Sequence, residues 1–234
     1  MPNPYFQFKQ FTVWHDKCAM KVGTDGVLLG AWANVSHAKS VLDIGAGTAL
    51  VSLMIAQRST AQIVGIEIDK DAASQAEENI EQSPWKERIS IENIDFKNYK
   101  SKQRFDVIVS NPPYFSDSLL PPDKQRSAAR HTNELPFYTL MEGASCLLTP
   151  EGEFTLIFPA DVSDNIKSIA KEYNLHPIRQ TNILPKPDSS PKRVLLTFSF
   201  QKKQCEESNL TIEHSRHQYT EEYIALTKEF YLKM

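Results

Sequence analysis

Short apolar runs alternate along this chain with stretches of helical spacing, and the alternation becomes regular from residue 40 onward. Val41-Leu42-Asp43-Ile44 is a brief apolar run that enters the turn Gly45-Ala46-Gly47, after which apolar residues at 50, 53, 54 and 56 mark a helix. A strand over 62–67 and a helix over 70–82, with Asp69 in the capping position, follow. Further apolar runs at 88–94 and 105–110 predict two more strands, the second ending on Asn111-Pro112-Pro113-Tyr114. Beyond a long loop over 115–133, the pattern predicts a helix at 135–148, a Pro150-Glu151-Gly152 turn, a strand at 153–158 and a helix at 161–173. Strand-like runs at 176–184 and 193–200 flank a proline-bracketed loop, 185–191. This order predicts an α/β, Rossmann-like fold. Its sheet is expected to be mostly parallel and seven-stranded, with one antiparallel edge strand from the 176–200 hairpin.

The two ends of the chain add smaller pieces. Phe6–Lys9 and Phe11–Trp14 alternate as a short hairpin with its turn near His15-Asp16-Lys17. Thr24 or Asp25 is placed to cap a short apolar helix over Val27–Ala33. Residues 1–38 thus read as an N-terminal extension or lid, 39–200 as the binding core, and 201–234 as a terminal segment within one domain spanning 1–234. The last helix starts at a Thr220 cap, and Tyr219, Tyr223, Leu226 and Phe230 share one of its faces.

Composition narrows the setting. A chain of 234 residues, 41% hydrophobic and 24% charged, suits one globular α/β domain. With a net charge of −3 it carries no global basic field, so any affinity for nucleic acid rests on local charge. Cys18, Cys146 and Cys205 are odd in number and far apart, which fits a reducing cytoplasm and argues against a disulfide framework or a zinc site. The opening Met1-Pro2-Asn3-Pro4-Tyr5 leads to the expectation of no signal peptide, and no apolar run approaches membrane-spanning length. No long exposed apolar helix demands a partner, so a monomer is the default.

The Asp43-x-Gly45-x-Gly47 turn lets backbone approach a ligand closely. A dinucleotide fingerprint would want a third glycine after it and would aim a pyrophosphate at Asp43. Here no such glycine follows, Ala49 stands beyond the turn, and the acid precedes it. A cationic cofactor suits that acid better. S-adenosylmethionine carries a sulfonium and an ammonium, both of which tolerate carboxylates. Glu67, at the end of the second strand, is placed for the two ribose hydroxyls. Asp95, at the end of the third, is placed for the adenine amino group, with Phe96 to pack on its ring. Taken singly, an Asp ending a strand is more often a turn or helix cap; three such acids in strand order behind a glycine turn form a donor site. No metal is called for.

Asn111-Pro112-Pro113-Tyr114 ends a buried strand where open α/β sheets bind ligands. The paired prolines stiffen the turn and leave carbonyls without local partners. A nucleobase amine is a poor nucleophile because its lone pair is delocalised into the ring. The Asn111 side-chain oxygen and the Pro112 carbonyl can each accept one of its N–H bonds, and Tyr114 can stack on the base. Positioning and electrostatics would then supply most of the rate. Asn111 lies where target and cofactor meet and counts toward both sites. A base inside a helix cannot reach such a turn, so it must be flipped or already in a loop.

On these residues the chain resembles the class I methyltransferases with an amino-directed Asn-Pro-Pro-Tyr motif. Over nearly its whole length it is similar to the tRNA1(Val) (adenine(37)-N6)-methyltransferase family. The narrower resemblance rests on Lys21-Val22-Gly23-Thr24-Asp25-Gly26-Val27-Leu28-Leu29-Gly30-Ala31-Trp32 and on Tyr219-Thr220-Glu221-Glu222-Tyr223. It implies methylation of the adenine beside the anticodon of one valine tRNA. Asp43, Gly45, Gly47, Glu67 and Asp95 would bind the donor, and Asn111 to Tyr114 the target base. Ala49 departs from the third glycine that many methyltransferases carry.

Local charge agrees with an RNA substrate. Lys124, Arg126 and Arg130 follow the Pro-Pro turn, and segment 185–204 holds Lys186, Lys192, Arg193, Lys202 and Lys203 against Asp188 alone. By contrast, 67–100 has nine acids against five bases. Charged loops are often merely solvated, and the same amino-directed chemistry would serve other targets: glutamine N5 of a protein, guanine N2 of rRNA or adenine of DNA. A non-catalytic donor-binding or RNA-binding protein is the reading from another class.

Overall fold

The computed structural model describes residues 3–18, 21–113 and 135–234. The chain opens on a hairpin of β1 (Tyr5–Gln7) and β2 (Thr12–Trp14), paired Tyr5 to Trp14. Its turn spans residues 8–11, closed by Phe8 N–H donating to Phe11 O at 2.8 Å, and not the expected 15–17. Phe8 and Phe11 stack at 4.7 Å and are buried, with Phe8 also against Tyr231. Burying both rings from the turn outweighs continuing the alternation.

Helix α1 (Thr24–Trp32) starts after Gly23, and no side chain caps it; the Asp25 carboxylate bonds Arg193 instead. Its residues from Gly26 to Trp32 are buried, as expected of a helix apolar on every face. The repeating units then run through β3 (Ser40–Ile44), α2 (Leu50–Arg58), β4 (Gln62–Glu67), α3 (Lys70–Glu81), β5 (Ile89–Asn93) and β6 (Phe105–Ser110). Asp69 caps α3, its Oδ1 accepting from Ala72 N–H at 2.8 Å. After residue 134 come α4 (Phe137–Leu147), β7 (Leu148–Pro159), α5 (Ser163–Glu172), β8 (His176–Leu184), β9 (Arg193–Ser199) and β10 (Glu206–Thr211). The small hairpin of β11 (Glu213–Ser215) and β12 (Gln218–Tyr219) leads into α6 (Glu221–Thr227), capped as expected by Thr220 Oγ1. Among the described residues no helix is long and apolar enough to cross a membrane.

The main sheet has eight strands in the order β10-β8-β9-β7-β6-β3-β4-β5. All neighbours are parallel except at β9, which pairs antiparallel to both β7 and β8. The antiparallel strand therefore lies inside the sheet rather than at its edge, consistent with the burial of Val194 through Ser199. The edge is β10, parallel to β8. Its sequence Glu206-Glu207-Ser208-Asn209 is polar and exposed, which hides the strand from a hydrophobicity pattern and protects a free sheet edge. Pro150-Glu151-Gly152 lies within β7 as an irregularity, where the register passes from Leu148 opposite Phe105 to Glu153 opposite Val107.

Strand side chains alternate between two cores. On one face α1, α2, α3, α6 and the N-terminal hairpin pack on Val41, Ile63 and Val107. On the other, α4 and α5 cover Leu42, Ile108 and Leu156. The strand order reverses at β3, and the crevice outside its carboxyl end is where such sheets take ligands.

Candidate active site

The turn after β3 shapes that crevice. Gly45 and Gly47 have φ of +74° and +55°, and a Cβ on either would meet nothing within 4 Å. Glycine is thus required by the left-handed backbone, and the space beside it is open cavity. Ala49 also adopts φ +63° as the residue before α2. Its left-handed strain costs roughly 1–2 kcal/mol, against which the complete burial of its methyl contributes about 0.8 kcal/mol. The turn is tied to β4 by Gly45 and Ala46 N–H groups donating to Ile66 O, each at 2.9 Å.

The predicted acids converge. Asp43 is 1% exposed and accepts from Ser52 Oγ at 2.7 Å. Its carboxyl is pushed up to about 6, chiefly by burial, with the Ser52 bonds opposing and the Glu67 charge adding to the rise. Glu67 accepts from Gly47 N–H at 2.8 Å and Asp69 N–H at 2.9 Å, one at each oxygen. These bonds lock the carboxylate while leaving a lone pair on each oxygen for paired hydroxyls. Asp95 lies two residues beyond β5 and accepts from Lys97 N–H at 2.9 Å as the cap of a short 3₁₀ turn. Both the capping role and a wall position belong to it.

Asn111 and Pro112 stand at the carboxyl end of β6 and border the same cavity, beside Ser110, whose hydroxyl donates to Ile44 O at 2.7 Å. The cavity holds about 850 Å³, well within the range of cofactor sites. Phe96 lines it, but the ring is packed beneath α4, where a Cβ on Gly143 would fall 2.4 Å from it. The apolar wall is supplied more by Ile94 and by Ile68, which is 46% exposed. Tyr114, Lys124, Arg126 and Arg130 lie outside the described residues.

The N-terminal extension proves to be a wall. Lys21, Gly23, Thr24 and Asp25 line the cavity, and Asp25 accepts from Arg193 Nε at 2.8 Å. Arg193 thus has a partner on the cavity rim, while Lys186 and Lys192 are exposed in the loop joining β8 to β9, at the same carboxyl edge of the sheet. Sequence reasoning missed Ser52, Ile68 and the Asp25–Arg193 pair. Only Ile68, an apolar residue immediately after a ligand-type acid, left a readable signal.

Five acids line the cavity against two lysines, which repels a pyrophosphate and favours a cationic ligand. A buried carboxylate at the turn, a locked carboxylate for a diol, and an apolar wall between Ile68 and Ile94 fit S-adenosylmethionine group by group. Sheet order, glycine turn and strand-end acids define a class I S-adenosylmethionine-dependent methyltransferase. The model of the methyltransferase small domain family matches residues 20–164. Within that class, the chain belongs to the tRNA1(Val) (adenine(37)-N6)-methyltransferase family. The proteins of that name from Phocaeicola vulgatus and Bacteroides thetaiotaomicron are 59% and 58% identical to it, with 100% of each chain covered. A crystal structure of a predicted O-methyltransferase from Agrobacterium tumefaciens shares the fold, with a TM-score of 0.69 and 19% identity. It covers 88% of this chain and 96% of that one.

Proposed function

We propose that this protein transfers a methyl group from S-adenosylmethionine to N6 of an adenine in tRNA, position 37 of tRNA1(Val). The observation that carries the reading is that Asn111 and Pro112 border the same cavity as Asp43, Glu67 and Asp95. The family supplies the substrate. A monomer working in the cytoplasm belongs to the same proposal.

When bound, the donor supplies an electrophilic methyl on a sulfonium. Asp43 and the left-handed Gly45–Gly47 turn hold its cationic end, Glu67 its ribose, and Asp95 its adenine amino group. Asn111 Oδ1 and the Pro112 carbonyl accept the two N–H bonds of the target amine. This fixes the nitrogen in line with the methyl and draws its lone pair out of conjugation. The nitrogen becomes positively charged as its new N–C bond forms, and the same two carbonyl dipoles stabilise that charge. Its surplus proton is then acidic enough to leave to water, so no strong base is required of the chain. Tyr114 provides the stacking surface.

Incubation with labelled donor and tRNA1(Val) from cells lacking the protein, followed by digestion to nucleosides, should yield N6-methyladenosine. Asn111→Ala should lower kcat by roughly 10²–10³, as for loss of one preorganised dipole, with the donor still bound. Unaltered methylation by that variant would end the mechanism. Label found on a protein glutamine instead would establish the nearest rival.

A further inference from the structure

In the closing stretch Tyr219-Thr220-Glu221-Glu222-Tyr223, two residues hold the fold and a third does not. Thr220 caps α6, and its hydroxyl donates to Thr211 O at the end of β10. Tyr223 is 2% exposed, with its hydroxyl 3.4 Å from that of Tyr231. Tyr219, by contrast, is 36% exposed, and its ring leans on Tyr223 with the centroids 5.3 Å apart. It is one of three large hydrophobic side chains left exposed among the described residues, and another of them, Ile68, already lines the donor cavity. Tyr219 ends the β11–β12 hairpin, in which every residue from His214 to Tyr219 is exposed. Ser215 pairs with Gln218, so Arg216 and His217 form the tip. That tip is held in place: His217 adopts φ +66°, and its N–H donates to the Glu213 carboxylate at 3.2 Å. Arg216 forms no ion pair with a described residue.

The hairpin stands at the carboxyl edge of the sheet. Ile212 N–H donates to Leu184 O at 2.9 Å and Glu213 N–H to Pro185 O at 3.2 Å, so it springs from the point where the β8–β9 loop begins. That loop carries the exposed Lys186 and Lys192 and ends at Arg193, which bonds Asp25 on the wall of the donor cavity. Helix α6, which follows the hairpin, packs beside α1, whose first residues line the same cavity. Exposed cations thus continue from the loop to the hairpin tip, with an exposed ring beside them. The nearby acids are engaged locally: Glu213 accepts from His217, and Glu221 and Glu222 stand in the first turn of α6, where the helix dipole favours them. We propose that the hairpin of residues 213–219 docks a single-stranded stretch of the tRNA, with an unstacked base on the Tyr219 ring and a phosphate on Arg216. The inference rests on the RNA reading above and names a surface, apart from the methylation site, through which that substrate is held. Single strands are gripped by this combination, rings taking bases while cations follow the backbone.

Filter binding and steady-state methylation of tRNA1(Val) by the full chain test this. Tyr219→Leu should raise Kd and KM for the tRNA about tenfold or more, as for the loss of one stacked base, with kcat and donor affinity unchanged. Tyr219→Phe, which keeps the ring, should match wild type. Stacking releases no counterion, so the Leu variant should keep the wild-type salt dependence. Arg216→Ala should instead flatten the slope of log affinity against log salt by roughly 0.7–0.9, as for one phosphate. A merely structural role for Tyr219 would lower the melting temperature of the Leu variant and leave its KM for tRNA where it was. Should that variant fail to fold, Arg216→Ala, at an exposed turn, carries the test through its salt slope. If Tyr219→Leu binds tRNA as tightly as wild type, or Arg216→Ala leaves the slope unchanged, the inference is overturned while methylation of the tRNA by wild type upholds the function. If wild type labels a protein and leaves the tRNA unmethylated, the function fails and the inference with it.

Discussion

Asp43 is a carboxylate kept in a place that disfavours its charge. It is fully enclosed at the end of β3, with Glu67 adding a second negative charge nearby, and its pKa is pushed up to about 6. If Asp43 holds the donor as proposed, a cationic donor would relieve that position, and part of its affinity would be stored in the unfavourable burial of the acid. The sign of the pH effect follows. Between about pH 4 and 6 the folded protein holds a proton that an unfolded Asp, near 3.9, has released. The donor-free protein therefore gains stability as pH falls through that window and loses it as pH rises through 6. Donor affinity runs the other way, because a protonated Asp43 no longer attracts a cation. Titration calorimetry should show affinity weakening toward tenfold per pH unit below about 6. In Asp43→Asn the affinity should be roughly tenfold or more below wild type near pH 7, level with pH, and approached by the wild-type value as pH falls below 6. A wild-type affinity that stays constant from pH 5 to 7 would remove Asp43 from the donor site.

Helix α1 shows how an element is built around absences of side chain. A Cβ on Gly26 would lie 2.9 Å from Leu50 Cδ2, and one on Gly30 would lie 2.8 Å from Met54 Cβ. Four residues apart, the two glycines form the stripe through which α1 seats against α2. That seating fixes Thr24 and Asp25 on the cavity wall. Gly30→Ala should cost about 1–3 kcal/mol, since Met54 is itself buried and has nowhere to yield. Denaturant titration measures this, and a variant as stable as wild type would show the packing there to be soft. At this scale the sequence was legible wherever one force acted alone. The strands 62–67, 105–110 and 176–184 and the Asp69 and Thr220 caps stand at the residues expected, because apolar runs and capping oxygens decide them locally. The first turn, the cap of α1 and strand β10 were not legible. Each is set by a partner far along the chain: Tyr231 for Phe8, Arg193 for Asp25, and β8 for the polar β10. The site divides in the same way. Asp43, Glu67, Asp95 and Asn111 could be ordered by strand, whereas the Ser52 bond to Asp43 exists only once β3 and α2 are packed together.

For the molecule as a whole, charge follows the sheet order. The acidic stretch 67–100 occupies β4, α3 and β5 at one end of the sheet, while Lys186 and Lys192 occupy the β8–β9 loop toward the other. Both open onto the carboxyl edge, so the acids of the donor cavity and the exposed Lys186 and Lys192 lie along one edge of the sheet. The protein needs both, because a uniformly basic edge would repel the sulfonium and a uniformly acidic one the RNA. The two lysines are exposed and stand outside the donor cavity's lining. Replacing both with alanine should raise KM for tRNA severalfold and leave donor affinity alone. Removing a cation that neutralises a phosphate also carries a distinct signature in salt. Every phosphate so released should flatten the dependence of log affinity on log salt by roughly 0.7–0.9. Filter binding of tRNA across a range of salt concentrations measures that slope for wild type and the double variant. A slope left unchanged would place the RNA elsewhere on the surface. A slope flattened by the full amount for two phosphates would place the tRNA backbone across the β8–β9 loop.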